Sequence, residues 1–170
     1  GERDGVDYFF LSDDEFSRRV AAGEFLEWAE YCGYRYGTPR RSIERLLSEG
    51  KTVILDIDTQ GAQQIREKMP EGVFVFLLPP SWEELRKRIQ QRGTESPATA
   101  TARLRLAARE ADAITQYDYY IVNDDPDRAA SELEAIIRAE RCRVRRFSHR
   151  AWLQRFRTEA AALGAEEGEG

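Results

Sequence analysis

Thr52-Val53-Ile54-Leu55-Asp56-Ile57-Asp58-Thr59-Gln60-Gly61 is the stretch on which the reading of the chain turns. Its first four residues are apolar or β-branched and Ile57 continues them, the composition of a strand buried on both faces of a parallel sheet. Two carboxylates stand at its carboxyl end, Asp56 and Asp58, two residues apart and so on one face. Open α/β sheets bind ligands just beyond such strand ends, in the crevice where strand order reverses. A helix is expected at once, over about 62–68, stopped by Met69-Pro70. Two readings stay open for the acids: a ligand-facing pair, or caps for the turn and helix that follow.

Working outward, the residues before this stretch read as short elements rich in tyrosine. A strand is expected over 7–11 and a helix over about 12–22, where Ser12-Asp13-Asp14-Glu15 is a capping box and Gly23 an end. Residues 25–31 are strand-like, Gly33 turns the chain into Tyr34-Arg35-Tyr36-Gly37, and Thr38-Pro39 reads as the cap and first position of a helix ending at Gly50. On the other side, 73–78 forms a second buried strand, stopped by Pro79-Pro80. Ser81-Trp82-Glu83-Glu84 opens a helix carrying Arg86, Lys87, Arg88 and Arg92, and a loop from Gly93 leads to a further helix over 98–114. Residues 119–122 make a third core strand and 127–141 a helix. The rest alternates basic and aromatic residues before an acidic, glycine-rich end, expected as a helical extension with a disordered tip. Strands alternating with helices make an α/β protein, a parallel sheet with helices on both faces.

The composition agrees, with 41% hydrophobic and 34% charged residues over 170, as in a globular protein. No run of 18 apolar residues is present, so no membrane contact is expected. A net charge of −5 speaks against a nucleic-acid partner. Cys32 and Cys142, far apart and without metal-ligand spacing, suit free thiols in a cytoplasmic setting and make a zinc site improbable. His149, the sole histidine, has no partners for a Ser/His/Asp arrangement.

Two groups of residues carry chemistry. Glu27 sits among aromatic residues, with Tyr8, Tyr34 and Tyr36 on neighbouring segments. A carboxylate accepts two parallel hydrogen bonds from a planar N–H pair such as the Watson–Crick edge of guanine, and tyrosine hydroxyls bond phosphate without adding charge. A solvated edge glutamate with core tyrosines is the plainer alternative. Arg88 and Arg92 lie four apart on one helix face, with Arg86, Lys87, Arg103 and Arg105 in support. Phosphoryl transfer needs positive charge brought over the migrating group as a site closes; a solvated basic face is again the alternative. No G-x-x-x-x-G-K-[ST] run, the loop that cradles ATP phosphates, occurs in the 170 residues.

In order, these pieces resemble the guanylate kinase family. The runs that carry the resemblance are GERDGVDYFFLSDDEF, GEFLEWAEYCGYRYGTP, GKTVILDIDTQGAQQIR, FLLPPS, the RxxxRGTE segment and DYYIVNDD, spanning residues 1 to about 141. The resemblance implies a kinase that phosphorylates GMP to GDP with ATP and Mg²⁺, its partners being GMP/GDP and ATP/ADP. It implies a P-loop-kinase-like core (51–80 and 116–141), an inserted GMP-binding piece (1–50), a helical lid (81–115), and an extension over 142–170. By the same resemblance Tyr8 and Tyr36 bind the GMP phosphate, Glu27 and Asp58 read guanine, and Thr38 stands beside the base. Asp56 lies near Mg²⁺ through water, Arg88, Arg92 and Arg103 are lid arginines over the transferring phosphate, and Asn123 lies on the ATP side. A peptide-binding module built on the former GMP site is the alternative function; the lid arginines speak against it.

The family begins with a strand, a phosphate loop and a helix that these residues do not include. The expectation is a piece of a longer protein, the alternative a chain that has lost the loop. Either way the 170 residues by themselves should leave a coupled assay with GMP, ATP and Mg²⁺ at background, because nothing cradles the ATP phosphates. Turnover by the purified chain would overturn that expectation.

Overall fold

The computed structural model describes residues 2–31, 33–91, 97–147 and 149–166. The chain divides into two units, Gly1–Phe76 with Ser81–Tyr120, and Leu77–Pro80 with Ile121–Gly170.

In the first unit the expected strand over 7–11 is replaced by a turn with a single bridge between Asp4 and Tyr8. Gly5, at φ 72°, donates its amide to the Tyr8 carbonyl. The Asp4 carboxylate accepts the Phe10 amide at 2.8 Å, using a donor that a ladder would need. Phe9 and Phe10 stay exposed, so no strand face is buried there. Helix α1 (Asp13–Ala21) follows, with Ser12 accepting the Glu15 amide as its cap. The Glu15 carboxylate bonds Arg18 and Arg19, so the cap on the Ser12 side is the half of the capping box that is seen.

Strands β1 (Phe25–Tyr31) and β2 (Tyr34–Pro39) form an antiparallel hairpin that pairs Glu27 with Thr38 and Ala29 with Tyr36. A Cβ on Gly37 would come within 2.9 Å of the Phe25 ring and 3.1 Å of the Glu27 carbonyl, so the hairpin closes only on glycine. Phe25 stacks on Phe16 of α1 at 4.7 Å between centroids. Thr38 and Pro39 were expected to open the next helix. Both remain in β2, because the Thr38 hydroxyl donates to Glu27 at 2.5 Å instead of capping, and helix α2 (Arg40–Ser48) starts one residue later.

The largest correction concerns 52–57. The stretch is extended but belongs to no ladder, and its exposure alternates. Val53, Leu55 and Ile57 pack on a core of Leu26, Ile43, Ala62, Ile65 and Phe74, while Ile54 is 62% exposed. Among the described residues no strand is hydrogen-bonded to it; Val53, Leu55 and Ile57 are partly buried, and the face carrying Ile54 meets solvent. Helix α3 (Thr59–Lys68), three residues longer at its start than expected, is tied to β1. Gln64 exchanges two hydrogen bonds with the Trp28 backbone, at 3.2 and 2.6 Å, and Lys68 donates to the Leu26 carbonyl at 2.6 Å.

Strand β3 (Val75–Leu78), two residues shorter at its start than expected, pairs with β4 (Tyr119–Val122). The Phe74 carbonyl accepts the Tyr119 amide and the Leu78 carbonyl that of Asn123, so the two run parallel. Helix α4 (Trp82–Gln91) is capped by Ser81. Helix α5 (Pro97–Glu110) gives way to a 3₁₀ segment (Ala111–Gln116), where a single helix to 114 was expected. There the Thr115 hydroxyl bonds the Asp112 carbonyl three residues back, a contact suited to the tighter winding.

In the second unit Ile121 is 1% exposed, and α6 (Pro126–Arg141) is capped by Asp125, with proline at its first position. Helix α7 (His149–Glu166) continues through 164–166, where a disordered tip was expected; 167–170 lie outside the described residues. Cys142 is a free thiol, and Cys32 lies outside the described residues.

The one-sided burial of 52–57 can be measured in the 170-residue chain. Leu26→Ala, in the core, should cost about 2–5 kcal/mol in urea unfolding. Ile54→Ala should cost no more than about 0.5 kcal/mol, as at a surface site. Comparable losses would show that the stretch is covered on both faces.

Candidate functional site

Glu27 is the buried carboxylate of the first unit, 5% exposed in the middle of β1. Two elements hold it. Its facing residue Thr38 donates a hydroxyl hydrogen bond at 2.5 Å. The first turn of α3 lies behind it, so close that a Cβ on Gly61 would stand 2.8 Å from Glu27 Oε2. Glycine in Thr59-Gln60-Gly61 lets the backbone approach the carboxylate in its present position.

Asp58 does cap the helix, its Oδ1 accepting the Gly61 amide at 2.7 Å. This bond also brings Asp58 to Glu27, because Gly61 touches both. Burial raises the Glu27 carboxyl above its ordinary 4.5; the Thr38 hydrogen bond opposes this and the Asp58 charge adds to it. Asp56 stands exposed on the outward face with Ile54, so the pair expected to act together is divided between a solvent-facing acid and a capping one.

Tyr36 and Thr38, two apart on β2, share a face of the hairpin with Glu27. The Tyr8 ring meets Tyr36 edge-on at 6.0 Å between centroids, and both rings are nearly half exposed. The structure thus brings together Tyr8, Glu27, Tyr36, Thr38 and Asp58, with phenols at the wet end and carboxylates at the dry end. Such a gradient suits a ligand with a charged, hydrated group at one end and a planar polar ring at the other.

Arg88 on α4 and Arg103 on α5 are half-buried in the same unit, and Arg88 donates to Glu84 one turn earlier at 2.9 Å. Arg92 lies outside the described residues. Asn123 belongs to the second unit, where its amide bonds the Leu78 carbonyl.

Sequence reasoning passed over Glu110. This half-buried acid ends α5 and accepts the Thr59 hydroxyl at 3.1 Å, across 51 residues. Burial raises its pKa first, and the Asp58 charge adds to the rise. Its signal was available: an acid three residues after Ala107 and four before Ile114, at helical spacing from both. A cleft of about 360 Å³ lined by Thr59, Gln63, Arg66, Gln116 and Tyr117 includes none of the residues expected at a nucleotide. Among the described residues no three His, Cys, Asp or Glu side chains group as metal ligands, and no helix is long and apolar enough to cross a membrane.

Comparison with known proteins adds to this geometry. The guanylate kinase family model matches residues 1–140. A guanylate kinase of Clostridium perfringens (strain SM101) is 50% identical over 146 residues, 86% of this chain and 68% of the relative. One from Symbiobacterium thermophilum is 55% identical over 144 residues, 85% and 68%. The crystal structure of guanylate kinase from Anaplasma phagocytophilum superposes with a TM-score of 0.77 at 39% identity, covering 91% of this chain and 76% of that one.

The raised Glu27 pKa has a consequence for folding. A folded state that holds this proton more tightly than the unfolded chain gains stability below pH 4.5 and loses it as pH rises through the raised value. Glu27→Gln should therefore unfold in urea with a flatter dependence on pH above 4.5 than the parent chain. Equal slopes for the two would show that the carboxyl is not held protonated by the fold.

Proposed function

The chain belongs to the guanylate kinase family, whose reaction transfers the terminal phosphoryl group of ATP to GMP, and we propose that the hairpin and the start of α3 form its GMP site. The observation that carries this reading is the buried Glu27 carboxylate, hydrogen-bonded by Thr38 and backed by Gly61 beside Asp58. Placed against guanine, Glu27 and Asp58 accept from N1–H and the 2-amino group, and Thr38 fixes the Glu27 oxygen that does so. Tyr8 and Tyr36, at the exposed end, bond the phosphate through their hydroxyls. On this reading 1–50 is the GMP-binding piece and 81–115 the lid.

The reaction turns GMP and ATP into GDP and ADP: a GMP phosphate oxygen attacks the terminal phosphorus, and the bond to the bridging oxygen of ADP breaks. The protein forms no covalent bond to the group in transit, so its work is positioning and neutralising charge. Arg88, Arg92 and Arg103 supply that charge from the lid, and Asn123 serves the ATP side. Asp56, exposed at the end of 52–57, would hold Mg²⁺ through water, as with a cation bound chiefly by phosphate oxygens. When bound, Mg²⁺ offsets charge on the phosphates. The setting is the cytoplasm, a reading supported by the free Cys142.

Base choice is the test. In this chain fused to the phosphate-loop segment of a guanylate kinase relative, Glu27→Gln sets an amide donor against a guanine donor. GMP affinity should fall about tenfold to a hundredfold, the loss of a charged hydrogen bond of about 1.5–3 kcal/mol. AMP lacks the paired N–H groups, so its weak binding should change little in calorimetric titration. Equal losses for both nucleotides would mean that Glu27 serves the fold and not the base.

A further inference from the structure

We propose that Glu110 is a positioning residue, latching the lid helix α5 through Thr59 to the residue that reads the base, and so setting where Arg103 stands during transfer. The inference rests on the GMP site argued above and assigns a role to a residue which that reading leaves unused.

Three observations carry it. The Thr59 hydroxyl donates to Glu110 Oε1 at 3.1 Å, joining the last residue of α5 to the first residue of α3. Thr59 directly follows Asp58, whose carboxylate caps the same helix at Gly61. Arg103 precedes Glu110 by seven residues on α5, two helical turns, so the side chains project within about 20° of each other and about 10 Å apart along the axis. A bond at Glu110 thus fixes both the rotation of α5 and its height against α3. It connects the arginine over the phosphate to the acid at the guanine.

A purely structural role accounts poorly for an acid at this place. Burial and the nearby Asp58 charge both work against the ionised form, and the neutral Thr59 hydroxyl is the group set against them. An apolar residue would avoid that cost but would leave the Thr59 hydroxyl without this acceptor. A residue unfavourable to stability but placed between two parts of a site is better explained by what it positions.

The test is steady-state kinetics, in this chain fused to the phosphate-loop segment of a guanylate kinase relative, on Thr59→Val, Glu110→Ala and the double variant, with Thr59→Ser and Glu110→Gln as the conservative pair. Thr59→Val and Glu110→Ala should each lower kcat by about tenfold to a hundredfold, the scale on which small misplacement acts. KM for GMP should stay within about threefold, and the double variant should be no slower than the slower single one. Thr59→Ser and Glu110→Gln, which keep the donor and the acceptor, should hold kcat near the parent value. Unchanged kcat in both disruptive variants, or multiplied losses in the double variant, would overturn the latch. Glu27→Gln measured alongside separates the two readings. If it lowers GMP affinity selectively while Thr59→Val and Glu110→Ala do nothing, the latch alone fails; if it leaves GMP binding intact, the GMP site itself fails.

Discussion

Gly61 has no side chain, and that lets the amino end of α3 close on the Glu27 carboxylate. With any Cβ the nearest contact would be 2.8 Å, and the Glu27 carboxylate would have to shift. The rest of the first unit follows from this approach. It puts Gln64 where its amide pairs with the Trp28 backbone and Lys68 where it reaches the Leu26 carbonyl. It seats Ala62 and Ile65 on Leu26, the most buried residue of the hairpin. The same contact brings Asp58, committed to capping α3, beside Glu27, so packing and the candidate site share one constraint.

Local chemistry was legible in the sequence wherever it involved neighbours along the chain. The Ser12 and Ser81 caps, the hairpin turning at Gly33, and the α6 helix stand as expected, because each is set by residues within one turn of each other. Readings that depended on a distant partner went astray. Thr38-Pro39 carries a helix-start pattern, but Glu27, eleven residues away, takes the hydroxyl that would have capped. The composition of 52–57 speaks of two buried faces; which faces are covered depends on neighbouring strands, and composition does not specify those. Glu110 was overlooked for the same reason, since its partner lies 51 residues upstream.

Three carboxylates, Glu27, Asp58 and Glu110, gather about the first turn of α3. Burial raises the pKa of Glu27 and of Glu110, and the Asp58 charge adds to both rises, so the group opposes its own full ionisation. The amino end of a helix offsets part of this, since its unpaired amides and dipole favour negative charge. The Thr38 and Thr59 hydroxyls, one for each glutamate, offset a further part. A fold selected for stability alone has no need of this arrangement, and apolar or amide residues would serve it better.

What the arrangement would supply at the proposed GMP site is discrimination. A buried acceptor already partly desolvated rejects a ligand that cannot donate to it, because the wrong ligand leaves the carboxylate unpaired. An exposed acceptor has water to fall back on and rejects little. At the proposed GMP site, burial at Glu27 would therefore do the selecting, and exposure at Tyr8 and Tyr36 would be no defect. A phosphate is common to every nucleotide and carries no information about the base, so its contacts gain nothing from being dry. The dry end must distinguish; the wet end has only to hold, and hold loosely enough for product to leave.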